Sequence, residues 1–209
     1  MKYFRAIFKD KFLLIGAFFI LLPSGFIFFF GQAGMIFLSH PQASDKNFGH
    51  TVLYMVDHNI DGAKALVINK PYPPDKMQFI PSYISKRNIP VFWGGPVHDK
   101  DDVFIMQFDG IQTPKVMLFN KWVADDPDIL DKVEASPEIY RVFMGYAGWQ
   151  AVQFEMERLS GAWVVGVRRS LFFPYFLKSG KSDAKSIWLK ALEKSDFYKK
   201  QAITGGIEA

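Results

Sequence analysis

Residues 51–69, TVLYMVDHNIDGAKALVIN, decide how the folded part of this chain is built. Thr51–Asp57 and Ala63–Asn69 are rich in the residue types that favour β-strands. The residues between them, His58–Gly62, include the Asn, Asp and Gly that are typical of a turn. The sequence therefore predicts a β-hairpin at this point.

Further strands and helices are predicted on both sides of the hairpin. The predicted strands are Met35–Ser39, Val103–Phe108, Val116–Phe119, Tyr140–Met144 and Ala162–Val167. The predicted helices are one capped by Asp126 with Pro127 in its first turn, Gln150–Leu159, and the amphipathic helix Ser182–Ser195. Because the early strands form hairpins while helices interleave with the later ones, we expect an α+β (mixed α/β) fold with helices packed on a mixed sheet.

A long uncharged run, Phe12–Phe30, precedes this domain. As a helix it would span about 28 Å, close to the hydrocarbon thickness of a bilayer. The flank before it carries the basic residues Lys2, Arg5, Lys9 and Lys11. The positive-inside rule then predicts a basic cytoplasmic tail at 1–11, a transmembrane signal-anchor helix at 12–30 and a globular domain at 31–209. We expect that domain on the extracytoplasmic side of the inner (cytoplasmic) membrane.

Two alternatives to an uncleaved anchor stay open. The segment Gly31–Ala33 has the small-x-small pattern of a signal-peptidase site, so the domain can instead be exported after cleavage. The other alternative is a buried core helix in a soluble protein, which the all-round apolar character of the run disfavours.

Composition excludes several classes of function. The net charge is +4, and the basic N-terminal tail supplies most of it, so the folded part lacks the excess charge of a typical nucleic-acid-binding domain. The chain has no cysteine, which excludes disulfides, thiolate metal ligands and a cysteine nucleophile. The sequence also contains no GxxxxGK[ST] loop, no GxGxxG after a strand and no GxSxG elbow.

Histidines and carboxylates give no metal or catalytic pattern. His50 and His58 bracket one predicted strand and would lie roughly 26 Å apart along it. His58 and Asp61 can approach each other in the turn, and the acidic loop that follows His98 lacks the spacing of a calcium site. We expect no catalytic residue, no metal and no cofactor, which favours a protein that is not an enzyme.

Two glycine-rich turns have two interpretations. Gly94–Pro96 is expected to form a sharp turn, and Gly145–Trp149 is expected to join a strand to a helix. Free amides at that helix start can hold an anion. Alternatively, the glycines only allow a tight crossing of the backbone.

Three segments together resemble the YqgE/AlgH family: Phe48–Pro71, Pro90–Val97 and Arg141–Glu157, with the motifs HNxDGA, GGPV and GYAGW in this order. The resemblance implies a bifurcated mixed β-sheet surrounded by helices, and it implies no established enzymatic activity. Carried over by position, the family's signature residues form either a candidate binding groove or a structural signature. These signature residues are Asn59, Asp61, Gly62, Asn69, Gly94, Gly95, Pro96, Gly145, Tyr146, Gly148, Trp149 and Gln153.

The chain departs from the family pattern in three ways. It has an N-terminal membrane segment where family members are typically soluble and cytoplasmic, Ala65 stands where glycine is usual, and Gln107 stands near a usual histidine. The first departure argues against the transcriptional role that the family has been given, because an exported domain cannot meet the chromosome.

Three functions therefore remain open. The first is a membrane-anchored, non-enzymatic binding or regulatory protein that contacts an envelope protein or a small ligand. The second is a transcriptional regulator that contacts nucleic acid through its lysine-rich C-terminal part. The third is a hydrolase or transferase with a carboxylate-lined site built from Asp61, Asn59 or Glu157.

Overall fold

The structure is a computed structural model that describes residues 31–43, 45–108, 113–166, 169–178 and 183–195. The predicted basic tail at 1–11 and the predicted transmembrane helix at 12–30 lie outside the described residues. Within the part that is described, no helix is both long and apolar enough to cross a membrane.

The strands arrange into two sheets. They are β1 (Ile36–Ser39), β2 (Val52–Asn59), β3 (Gly62–Val67), β4 (Val91–Trp93), β5 (Val103–Gln107), β6 (Lys115–Leu118), β7 (Tyr140–Met144), β8 (Ala147–Gln150) and β9 (Trp163–Val165). The first sheet has the order β8-β3-β2-β1-β9 and is antiparallel throughout. The second has the order β4-β7-β5-β6, in which only β4 and β7 are parallel. The mixed α+β fold is thus confirmed, with two sheets.

The predicted hairpin is confirmed as β2 and β3. Tyr54 lies opposite Leu66, and Asn59 lies opposite Gly62 at the turn, with a register shift between Met55 and Asp57. Such a bulge bends the strand and increases its twist. The predicted strands at 35–39, 103–108, 140–144 and 162–167 are also present, with ends that differ by a few residues.

Both faces of the first sheet are buried along the first part of β2, which explains why Val52–Val56 are all apolar. Leu53 and Met55 pack into one apolar cluster, which also contains Phe154. Val52 and Tyr54 point into the other. Neighbouring side chains of a strand point to opposite faces, so a strand covered on both sides needs apolar residues at every position.

Helices cover these clusters. They are α1 (Ser82–Ser85), α2 (Phe119–Asp125), α3 (Ile129–Ala135), α4 (Gln153–Leu159), α5 (Arg169–Lys178) and α6 (Ala184–Glu193), and a 3₁₀ helix spans Pro74–Phe79. The predicted amphipathic helix is confirmed as α6, which buries Ile187, Trp188, Ala191 and Leu192. It begins at Ala184 because the Asp183 side chain accepts a hydrogen bond from the Ser186 amide at 3.0 Å.

Two helix predictions are wrong in detail. Asp126 does not begin a helix: it ends α2, which the sequence did not predict and which buries Phe119 and Trp122. The following helix starts only at Ile129. These two buried aromatic side chains override the local capping signal.

The predicted helix Gln150–Leu159 is also too long. Its first residue, Gln150, is the last residue of β8, which pairs with β3. The helix α4 starts at Gln153, after Val152 takes a left-handed conformation with φ of 67°. Pairing with a strand far away in sequence decides the conformation of Gln150, and helical spacing cannot reveal such pairing.

The two sheets meet at one crossing. The chain leaves β7 through Gly145 and Tyr146 and continues directly into β8, so one segment passes from the second sheet to the first. At the same place the Val67 amide donates to the Gly94 carbonyl oxygen at 2.7 Å, which joins the end of β3 to the end of β4.

Candidate functional site

An open groove with a volume of about 530 Å³ lies beside the turn of the β2–β3 hairpin. Its lining comes from the hairpin tip, from Val97, Tyr146 and β8, and from the start of α4. The lining residues are Asp57, Asn59, Asp61, Gly62, Ala63, Lys64, Val97, Tyr146, Gly148, Trp149, Gln150 and Gln153.

Many signature residues converge in this groove. The signature residues that line it are Asn59, Asp61, Gly62, Tyr146, Gly148, Trp149 and Gln153. The HNxDGA and GYAGW motifs, far apart in sequence, therefore share one site because β3 pairs with β8, placing Lys64 opposite Gly148.

The hairpin tip is held by its own side chains. Asn59 Nδ2 donates to Asp57 Oδ2 at 3.0 Å, and the Asp61 amide donates to Asn59 Oδ1 at 2.8 Å. A side-chain oxygen that binds the amide two residues on is the usual way in which Asn stabilises a turn. Asp57 and Asp61 themselves are exposed, so their carboxylates remain accessible to a ligand.

Two glycines in the groove lie where a side chain would meet neighbouring atoms. Gly62 has φ of +139°, and a Cβ there would lie 2.2 Å from the Trp149 carbonyl oxygen. At Gly148 a Cβ would lie 3.1 Å from Cε2 of Tyr146. A side chain at Gly62 would therefore collide with the backbone of β8, whereas a side chain at Gly148 would enter the groove.

The groove carries charge of both signs. Lys64 Nζ lies 4.5 Å from the centroid of the Tyr146 ring, a cation–π distance. Asp57 and Asp61 supply carboxylates at the hairpin side. The groove thus offers carboxylate, amide and ammonium groups beside the ring of Tyr146.

Glu157 does not line the groove, but its carboxylate binds two residues that do, Trp149 and Gln153. Its Oε2 accepts the indole N–H groups of Trp149 and Trp163, each at 2.8 Å, and its Oε1 accepts from Gln153 Nε2 at 3.1 Å. The carboxylate fixes two aromatic rings and one groove amide. It is committed to these donors, which argues against the acid–base role considered from the sequence.

The other signature residues lie outside the groove. Asn69 is 1% exposed; its side chain accepts from the Val52 amide and donates to the carbonyls of His50 and Ala184. It therefore joins the start of β2 to the start of α6. Pro96 is exposed and follows the crossing of the two sheets.

Gly94, Gly95 and Gly145 form that crossing. A Cβ at Gly94 would lie 2.1 Å from the Gly145 carbonyl oxygen, and one at Gly95 would lie 2.2 Å from the Tyr146 carbonyl carbon. At Gly145, with φ of +71°, it would lie 2.6 Å from Cα of Asp99. These three glycines permit a close approach of the backbone, as the second interpretation of the turns proposed.

The structure does not support the first interpretation of the turns, an anion site at a helix start. Gly145 and Tyr146 lead into a strand, and their amides donate to the carbonyls of Asp102 at 2.8 Å and Val97 at 3.0 Å. The Gln150 amide donates to Gln153 Oε1 at 3.1 Å. These amides are therefore occupied.

Several residues that line the groove are not signature residues: Asp57, Ala63, Lys64, Val97 and Gln150. For two of them, the spacing along the sequence indicates a position in the groove. Asp57 lies two residues before Asn59, and Lys64 lies two residues after Gly62, so each shares a strand face with a signature residue. Val97 and Gln150 reach the groove only through pairing of distant segments.

His58 does not pair with Asp61 as considered from the sequence. Its side chain is buried, and Nε2 contacts Glu155 Oε1 of α4. His98 lies on the surface, with Nδ1 3.2 Å from Asp102 Oδ2. Among the described residues, no group of three or more His, Cys, Asp or Glu side chains is placed to hold a metal ion.

Lys70 and Tyr72, which lie outside the groove, have strongly shifted pKa values. Burial lowers the pKa of Lys70 to about 8, and Asp45 partly opposes this effect. Lys70 Nζ donates to the Asn47 carbonyl at 2.5 Å. Burial, together with Asp99, Asp101 and Asp75, raises the pKa of Tyr72 to about 12.

Fold and groove together define the class: a mixed α+β domain with two sheets and an open, polar groove at the turn of its central hairpin. The model of the AlgH-like family, DUF179, matches residues 36–197, and the chain belongs to this family. The resemblance carried by the three motifs is thereby confirmed.

Relatives and a solved structure agree with this assignment. The chain is similar to a UPF0301 protein of Bacteroides thetaiotaomicron, with 28% identity over 165 residues, covering 77% of this chain and 81% of the relative. A UPF0301 protein of Magnetococcus marinus is 31% identical over 150 residues, covering 68% and 80%. The solution structure of the AlgH protein from Pseudomonas aeruginosa superimposes with a TM-score of 0.54 at 23% identity, covering 85% and 95%, and shares the fold.

Proposed function

We propose that this chain is a membrane-anchored, non-enzymatic binding protein that holds a partner or a small ligand in the groove beside the hairpin tip. The observation that carries the proposal is the convergence of signature residues from the hairpin, from β8 and from α4 in that one groove. Open concave sites with a few placed polar groups are typical of ligand and partner binding.

The chemistry of the groove supports binding over catalysis. Glu157 is bound to two indoles and one amide, and the imidazole of His58 is buried against Glu155. The accessible groups, Asp57, Asp61 and Lys64, suit ion pairing and hydrogen bonding with a ligand that carries both donors and acceptors. No described His, Ser or Thr side chain lines the groove as a nucleophile or base.

The carboxylates also disfavour nucleic acid as the ligand. Phosphate backbones are bound by clustered Lys and Arg. In the groove, Lys64 stands against Asp57 and Asp61, so a phosphate would meet net repulsion there.

Site-specific photo-crosslinking of the full chain tests the groove. A photoreactive residue at Gln150, which is exposed and lines the groove, is compared with the same residue at Gln42, which is exposed and follows β1. We expect a discrete adduct from position 150 that is absent from position 42. The adduct should disappear when Gly148→Val fills the groove.

The result against the proposal is equally clear. The same adducts at both positions, or an adduct at 150 that survives Gly148→Val in a folded protein, would show that the groove is not the binding site. Circular dichroism and a thermal melt establish that the Gly148→Val variant is folded.

The side of the membrane is tested separately by a C-terminal reporter fusion. Activity only outside the cytoplasm supports a domain on the extracytoplasmic side, as the positive-inside rule predicts. Activity only inside the cytoplasm overturns that location and restores the nucleic-acid hypothesis.

A further inference from the structure

The chain enters the folded domain alongside β2. The Gly31 amide donates to the His58 carbonyl at 3.2 Å, and the Gly34 amide donates to the Met55 carbonyl at 2.7 Å. β1 then continues the antiparallel run, with Ile36 opposite Tyr54. Followed backwards from β1, the chain therefore moves along β2 towards the turn of the hairpin.

This entry is fixed to the domain. Gln32 is 8% exposed, and its Oε1 accepts a hydrogen bond from Arg158 Nη1 at 2.7 Å. Gly31 is the residue that directly follows the apolar run Phe12–Phe30. The described part of the chain therefore begins beside the strand end at His58.

The turn of the hairpin exposes an apolar side chain at this same end. Ile60 is 72% exposed, the highest value among the large hydrophobic residues in the part of the chain that the structure describes. It lies two residues beyond His58, the residue that binds Gly31. An exposed aliphatic residue alone is common on soluble proteins. Here it stands where the chain leaves the domain towards the predicted membrane segment.

We propose that the tip of the β2–β3 hairpin, with Ile60 at its apex, contacts the lipid surface, so that the groove opens at the face of the bilayer. The inference rests on the proposed membrane anchor, and its partner is the extracytoplasmic leaflet. With no free linker after Phe30, the end of the domain that contains His58 has to lie against that leaflet. Contact with the lipid then removes the apolar surface of Ile60 from water, which is favourable.

The charges beside Ile60 set how deep the tip enters. Asp57 and Asp61 are exposed on either side of it and keep their hydration best at the level of the headgroups. The tip therefore enters shallowly, with only the Ile60 side chain reaching the acyl boundary. A ligand of the groove must accordingly be reachable at the membrane surface.

Single-cysteine labelling tests this orientation, and the chain has no native cysteine to interfere. The full chain with Ile60→Cys is labelled with an environment-sensitive fluorophore and reconstituted in vesicles of phosphatidylethanolamine and phosphatidylglycerol. Leu189→Cys is the matched control: Leu189 is an aliphatic residue, 47% exposed, next to Trp188. The Trp188 indole donates to the Ser39 carbonyl at the other end of β1, away from the hairpin tip.

In the vesicles we expect blue-shifted emission and several-fold slower quenching by iodide at position 60 than at position 189, and quenching by lipid-linked nitroxide only at position 60. Equal iodide quenching at the two positions, in a protein that stays with the vesicles, overturns the proposed orientation and leaves the anchor intact. A full chain that does not stay with the vesicles refutes the anchor itself, so the two failures can be told apart.

Discussion

At the residue scale, Glu157 illustrates how a carboxylate at helical spacing from a signature residue can serve packing. It joins Trp149, Trp163 and Gln153 through hydrogen bonds. Replacing it leaves two indole donors without an acceptor, and we expect Glu157→Ala to lower the free energy of unfolding by about 2 kcal/mol. Urea unfolding followed by tryptophan fluorescence measures the loss.

Glu134→Ala is the control for this prediction. Glu134 contacts Arg87 on the surface, where an ion pair contributes little. A loss at position 157 no greater than that at position 134 would contradict the structural role of Glu157.

Substitutions at Gly95 and Gly161 distinguish a steric clash with the neighbouring backbone from the cost of a left-handed backbone conformation. A Cβ at Gly95 would lie 2.2 Å from the Tyr146 backbone, whereas at Gly161, with φ of +83°, nothing lies within 4 Å. We expect Gly95→Ala to lower the free energy of unfolding by about 4 kcal/mol or more. At Gly161 the only cost of a side chain is the left-handed backbone conformation, so Gly161→Ala should lower the free energy of unfolding by about 1 kcal/mol. Thermal unfolding distinguishes the two, and similar losses would argue against a tight crossing.

Lys70 gives the protein a predictable pH dependence. Its pKa is about 8 in the folded protein and 10.5 for an ordinary lysine, so between these values the unfolded chain binds more protons. The free energy of unfolding therefore gains a contribution that rises with pH from about 8. Tyr72, with its pKa raised from 10.0 to about 12, acts in the opposite direction above pH 10.

The substitution Lys70→Met should remove the increase in the free energy of unfolding with pH that Lys70 causes. Urea unfolding between pH 8 and 10 should show that the free energy of unfolding of the wild type increases relative to that of Lys70→Met as the pH increases. Lys185→Met, at an exposed position of α6, should retain the wild-type rise. A difference for Lys70→Met that does not change with pH would contradict the lowered pKa.

At the element scale, patterns within one segment were predictable and those set by distant segments were not. The β2–β3 hairpin and the apolar face of α6 follow from residues close together in sequence. The identity of β8 depends on β3, and α2 depends on the pocket that receives Phe119 and Trp122. Local propensity gave no signal for either.

The buried contact between His58 and Glu155 holds α4 against the hairpin. Removing one partner leaves a polar group buried without its counterpart, and we expect Glu155→Ala to lower the free energy of unfolding by about 3 kcal/mol. The double variant His58→Phe with Glu155→Leu should recover part of this loss, because it removes both polar groups. A double-mutant cycle measured by urea unfolding checks this, and purely additive losses would exclude the coupling.

At the scale of the whole molecule, the prediction concerns the proposed membrane anchor, the apolar run Phe12–Phe30. Charges near the centre of an apolar span oppose insertion by about 3 kcal/mol each. We therefore expect Phe19→Arg combined with Leu21→Arg to move the full chain from the membrane fraction to the soluble fraction. Lys9→Arg, which keeps the flanking charge, is the control and should stay in the membrane. A wild-type chain already in the soluble fraction would contradict the anchor.

The sequence by itself determined the strands of the hairpin, the amphipathic helix, the family and the prediction of a membrane anchor. Each of these depends on residue order over a short window, where periodicity and composition carry the information. Only the tertiary structure decided which signature residues share the groove, that Gly94, Gly95 and Gly145 serve a crossing, and that Glu157 and His58 are committed to partners. The physical reason is that these roles arise from pairing between segments far apart in the chain, such as β3 with β8, which no local pattern encodes.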